Sequence, residues 1–167
     1  MSVLETSTRS PDLGENDDIY GFLIGVWDAD VSGRRADGVW GHTRGEWHFT
    51  RVLEGRAIQD VWIIPPIADR GKLRAGETNC YGTTLRYFDA KLGAWRVAWV
   101  NPVTGKHDEL VGRREGANIV QEGTSADGRR IRWTFTDVTP TSFRWTGESE
   151  VDGTWQLEAE FRARRRA

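Results

Sequence analysis

Two-residue alternation broken by tight turns constrains this chain more than any other feature. From Thr154 to Arg164, Trp155, Leu157, Ala159 and Phe161 share one face, while Gln156, Glu158, Glu160 and Arg162 share the other. Ile131, Trp133 and Phe135 stand against Arg132, Thr134 and Thr136 in the same way. So do Phe143 and Trp145 against Arg144 and Thr146, and Trp95, Val97 and Trp99 against Arg96 and Ala98. Turn signals join these segments, with Asp152-Gly153 the sharpest and Asp127-Gly128 and Thr104-Gly105 of the same kind. Strands so close in sequence pair antiparallel, because a parallel return needs a crossover of about a dozen residues or more. The aromatic face of each is expected to point inward.

Extended over the chain, this pattern predicts strands at 27–31, 39–51, 57–64, 78–88, 94–101, 107–114, 118–124, 130–138, 142–151 and 154–164. No helix follows the first strand. The expected fold is all-β, an antiparallel up-and-down β-barrel of about ten strands, forming one domain over residues 18–167. Nine tryptophans and nineteen glycines suit it, since glycine lets strands bend and rings fill a wide interior. Burying each ring is worth about 1.5–3 kcal/mol, so most of them serve the fold. Residues 1–17, polar and carrying Pro11 and Gly14, read as a flexible leader. The connection over 68–77 is the longest and is a candidate lid or rim.

A formal charge of -2 gives no general grip on nucleic acid. No apolar run reaches membrane length and no secretion signal is visible, so the expected setting is the cytoplasm without a membrane partner. Cys80 is the only cysteine, which excludes an internal disulfide and fits a reducing compartment.

The first strand opens with Gly25-Val26-Trp27, after a short apolar lead-in from Ile19 to Ile24. A Gly-x-Trp at that place resembles the signature of the calycin superfamily, which holds the lipocalins, the fatty-acid-binding proteins and the nitrobindins. The resemblance implies a barrel around a small apolar ligand, and an arginine of the last strand stacked on the tryptophan. Arg162 and Arg164 are placed for that role. About ten strands without a helical pair lean towards the nitrobindin-like branch. Gly45-Glu46-Trp47-His48-Phe49 and Gln59-Asp60-Val61-Trp62-Ile63 also resemble an uncharacterised group of bacterial lipocalin-like domains. Nitrobindins hold haem through a histidine on a late strand, and residues 142–164 contain none. Haem is therefore not expected, nor is another cofactor.

His42, Arg44, Glu46 and His48 share one face of the second strand. Turned inward, Glu46 and His48 would form an acid/base pair; turned outward, they are a solvated wall. Both readings stand at this level. No third ligand of close spacing completes a metal site. No Gly-x-Ser-x-Gly or phosphate loop is present either. The third strand is apolar on both faces, with Ile58, Trp62 and Ile64 on one and Val61 and Ile63 on the other. Gln59 and Asp60 fall on opposite faces, so one of them points inward, and the outward apolar side is a candidate homodimer surface. Arg86, Arg96 and Arg113 are assigned to the outer face.

These residues support a binding module first. Trp47, Trp99, Trp133 and Trp145 would hold a largely apolar or aromatic molecule, with Gln59 or Tyr81 fixing its orientation. A second class is a cofactor-independent isomerase, cyclase or hydratase using Glu46, His48 and Asp60. A third is an interaction protein whose barrel is filled.

Overall fold

The computed structural model describes residues 4–74 and 79–167. Its strands are β1 (Gly25–Arg34), β2 (Trp40–Val52), β3 (Ala57–Ile64), β4 (Cys80–Asp89), β5 (Ala94–Asn101), β6 (Lys106–Glu115), β7 (Asn118–Ser125), β8 (Arg130–Thr136), β9 (Ser142–Val151) and β10 (Thr154–Arg165). Each pairs antiparallel with the next, and β10 returns to β1 to close the barrel. The expected architecture is the observed one. At the β9–β10 hairpin Asp152 and Gly153 both have positive φ, 50° and 77°, the twist that a two-residue hairpin turn requires.

Large rings rest on glycines of neighbouring strands. A Cβ on Gly82 would lie 2.4 Å from the Trp99 ring, and one on Gly112 would lie 2.1 Å from the Tyr20 hydroxyl. The many glycines and the many aromatics are therefore two sides of one packing solution.

One mouth of the barrel is sealed. A short 3-10 turn, Gly21–Leu23, leads into β1 beneath it. Tyr20, Leu23, Trp27 and Phe135 are fully buried there. Arg165 lies over Trp27, its guanidinium carbon 4.2 Å from the ring, and donates to the carbonyls of Phe22 (2.7 Å), Ile24 (2.6 Å) and Pro140 (2.9 Å). The stacked arginine is thus Arg165, not Arg162 or Arg164. Odd residues of this part of β10 point inward with Phe161 and Ala163, and even ones face outside, where Arg162 pairs with Glu160.

The leader, from residue 4 onward, lies against this sealed end. The Thr6 amide donates to Arg51 O (2.9 Å), Leu13 is 4% exposed, and Asp17 O accepts from Trp95 Nε1 (2.7 Å). Backbone partners of this kind leave no mark in a count of polar side chains.

A bulge between Leu157 and Ala159 alters the expected faces of β10. Upstream of it Trp155 points outward, beneath the guanidinium groups of Arg132 (4.3 Å) and Arg130 (5.3 Å), and Leu157 is 36% exposed. Glu158 turns inward instead. One extra residue shifts the parity of everything before it.

The described part of the long connection includes a 3-10 turn, Ile67–Lys72, on the outer wall of β2 and β3. The Ile67 amide donates to Glu46 Oε1 (2.7 Å), and Arg70 donates to Ile64 O (3.3 Å). Ile63 points outward by register yet is 2% exposed. The apolar outer side of β3, assigned above to a second copy, is thus covered at Ile63 by the chain itself. The lid reading falls partly on residues 75–78, outside those described. No helix among the described residues is long and apolar enough to cross a membrane.

Candidate binding cavity

At the end opposite the seal the barrel opens into a cavity of about 700 Å³. Register brings its rings together: Trp47 of β2 faces Trp62 of β3, and Phe161 of β10 faces Trp145 of β9. Phe161 is stacked against Trp62 on one side and Trp145 on the other, each at 4.4 Å and 19°. Trp133 lies 5.8 Å from Trp145, and Trp99 lines the β5 side. The four tryptophans expected from the sequence, Trp47, Trp99, Trp133 and Trp145, all line this one space.

Its floor is a buried polar group. Arg86, 1% exposed, donates through Nη1 to Asp60 Oδ2 and through Nε to Gln121 Oε1 (3.3 Å). Asp60 Oδ1 accepts from the Thr84 amide (3.1 Å), and the Tyr20 hydroxyl donates to Gln121 (3.1 Å). Burial pushes the Tyr20 hydroxyl far above its ordinary range, partly offset by Arg86, so it stays a neutral donor. Arg86 was assigned to the outer wall. The inward face of β4 carries Gly82, Thr84 and Arg86, too polar for alternation to mark. Asp60, turned inward among apolar neighbours, was the available signal, because a buried carboxylate needs a cation.

Nearer the mouth stand Lys106, Asp108, Ser125, Arg129, Ser149 and Glu158. Asp108 is 1% exposed, yet neither of its oxygens accepts a hydrogen bond among the described residues. Lys106 Nζ lies 3.3 Å from Oδ2 but off the hydrogen-bonding direction. Glu158 accepts from the Ser149 hydroxyl (2.8 Å). Asp127, on the rim, is held down to about 2 by the Ser125 hydroxyl and then by Arg129. The indole Nε1 atoms of Trp47 and Trp145 are buried and have no partner among the described residues.

The other expected residues lie elsewhere. Gln59 and Tyr81 face outward: Gln59 donates to Thr83 Oγ1 (3.0 Å), and Tyr81 is 47% exposed beneath Arg70. Glu46 and His48 meet at 2.9 Å on the outer wall, where Arg166 also approaches Glu46 at 3.3 Å. Burial pushes the Glu46 carboxyl up, but His48, the Ile67 amide and Arg166 outweigh it and hold the group below its ordinary value. The second-strand face left open above is therefore the outer one. Asp60 points inward but is fully engaged by Arg86 and Thr84. Cys80 is part-buried, which pushes its thiol to about 11, far from a reactive thiolate. No group of three or more metal-ligating side chains occurs among the described residues.

No protein-family model matches the chain, and no curated protein does. Solved structures do. Rv2717c from M. tuberculosis is similar at a TM-score of 0.66 and 13% identity, over 96% of this chain and 100% of that one. The S-type phycobiliprotein lyase CPES from Guillardia theta is similar at 0.56 and 11%, over 91% and 93%. At such identities the likeness carries the fold, and the fold is calycin-like, a closed barrel of ten antiparallel strands.

Proposed function

We propose that this chain binds a small, planar aromatic molecule inside its barrel. The observation that carries the reading is the stack of Trp62, Phe161 and Trp145, beside a cavity of about 700 Å³. That volume lies within the range of about 300–1,000 Å³ typical of small-molecule sites. Offset stacking adds about 0.5–1.5 kcal/mol per ring pair beyond area burial.

The residues expected above to serve an isomerase, cyclase or hydratase lend that reading no support, because Glu46 and His48 pair on the outer wall and Asp60 is engaged by Arg86. The unpaired Cys80 supports a reducing compartment such as the cytoplasm.

Native mass spectrometry of the purified protein, against a denatured spectrum of the same sample, tests for a retained ligand. Titration with naphthylmethanol, followed by tryptophan fluorescence, tests the site directly. One probe per chain is expected, with affinity at least about tenfold weaker in Ala159→Trp, where an indole fills the cavity. No retained mass together with no quenching would overturn the reading.

A further inference from the structure

Building on that binding reading, we infer that the ligand carries a basic hydrogen-bond donor, an amine or amidine on its aromatic frame, which Asp108 and Glu158 receive. Asp108 stands on β6 opposite Trp99 of β5, on the cavity wall. Its carboxylate is 1% exposed and accepts no hydrogen bond among the described residues. Stripping a carboxylate of water without supplying donors is costly, and the cost is removed when a ligand brings them. The cation beside it, Lys106, reaches in from the rim with a side chain 55% exposed and does not donate to it.

Glu158 is a second acid on the same wall. The bulge of β10 turns it inward, and its one hydrogen bond comes from the neutral Ser149 hydroxyl. Among the described residues no arginine or lysine pairs with it. The remaining charges on the wall are matched within the chain: Arg86 with Asp60, Arg129 with Asp127, and Glu148 with Arg132. What is left facing the cavity is an acidic excess set among indole rings, and an indole face also attracts a cation. An anionic ligand would find near the mouth only cations that already stand beside carboxylates, Lys106 beside Asp108 and Arg129 beside Asp127.

Three probes of nearly equal shape test this on the full chain at neutral pH: naphthylmethylamine, naphthylmethanol and naphthoate, each titrated by calorimetry. The amine is expected to bind about tenfold or more tighter than the alcohol, with the carboxylate weakest, as a charge-assisted hydrogen bond predicts. Asp108→Asn should remove most of the amine's advantage by weakening the amine far more than the alcohol, and Glu158→Gln should act in the same direction by less. Equal binding of all three, or tightest binding of naphthoate, overturns the inference and leaves the aromatic site standing. Failure of both amine and alcohol to bind overturns the site and the inference together. Should Asp108→Asn not fold, the ranking in the unaltered protein and the Glu158→Gln series still decide.

Discussion

The two ends of this barrel are built from the same residue types and treat them in opposite ways. At the sealed end Trp27 Nε1 donates to Leu23 O (2.7 Å), Trp95 Nε1 to Asp17 O (2.7 Å), and Arg51 pairs with Asp18 (2.6 Å). At the open end the indole nitrogens of Trp47 and Trp145 and both oxygens of Asp108 are buried without a hydrogen-bond partner among the described residues, though Lys106 stands 3.3 Å from Asp108. Rings fill space at both ends. The difference lies in their polar tips: where the chain satisfies them, the ring holds the fold, and where it does not, the wall suits something brought from outside.

Four experiments can break or sharpen that contrast. The largest effect is expected from Trp27→Ala, which removes a fully buried ring together with its stacking on Arg165, and should cost about 3–5 kcal/mol in denaturant unfolding. Trp133→Ala, at the part-exposed open end, should cost less than half as much while abolishing naphthylmethanol quenching. Equal losses from the two would remove the distinction between the ends.

Arg86→Met tests the floor that divides them. It leaves Asp60, fully buried, without its cation, and should destabilise the protein by about 3–5 kcal/mol. Adding Asp60→Leu should recover most of that loss, because an apolar pair of similar volume replaces a desolvated ion pair. No recovery in the double variant would mean that the network as a whole, Gln121 and Tyr20 included, and not the ion pair, holds the floor.

Asp108→Asn should move stability the other way, raising it by up to about 1 kcal/mol, since relief of a buried carboxylate that accepts no hydrogen bond among the described residues outweighs the lost ion pair with half-exposed Lys106. A clear destabilisation in thermal melts would place Asp108 with the structural residues of the sealed end.

The smallest effect belongs to the outer wall. Arg166 beside Asp28 and Arg144 beside Glu160 hold both carboxyls below their ordinary values. With folded values depressed, the unfolded chain takes up these protons first as pH falls. Their contribution is therefore whole above about pH 4 and is lost as pH drops through the lower folded values. Glu160→Gln should flatten the acid limb of the stability curve by a few tenths of a kcal/mol to about 1 kcal/mol, and should leave probe binding unchanged.

Much of the fold was legible because tight turns punctuate clean alternation. The strand at 142–151 and the Asp152-Gly153 hairpin stand where the pattern puts them, and so does Trp27 at the barrel's end. The aromatic half of the cavity was legible for the same reason. Its polar half was not. Asp108 and Glu158 sit in segments whose charges look, in one dimension, like an ordinary solvated face.

The sequence by itself determined the succession of antiparallel strands, the residues that share a face where no bulge intervenes, and the four tryptophans that meet inside. Only the tertiary structure decided which face of β2 is the outside, that Arg86 lies within, and that the bulge sends Trp155 out and Glu158 in. Period two fixes which side chains travel together but not which way they point, once a face mixes polar and apolar residues or a single inserted residue shifts the count. Direction is settled by closure of the sheet, when an inward arginine can exist because an aspartate from the neighbouring strand is already there.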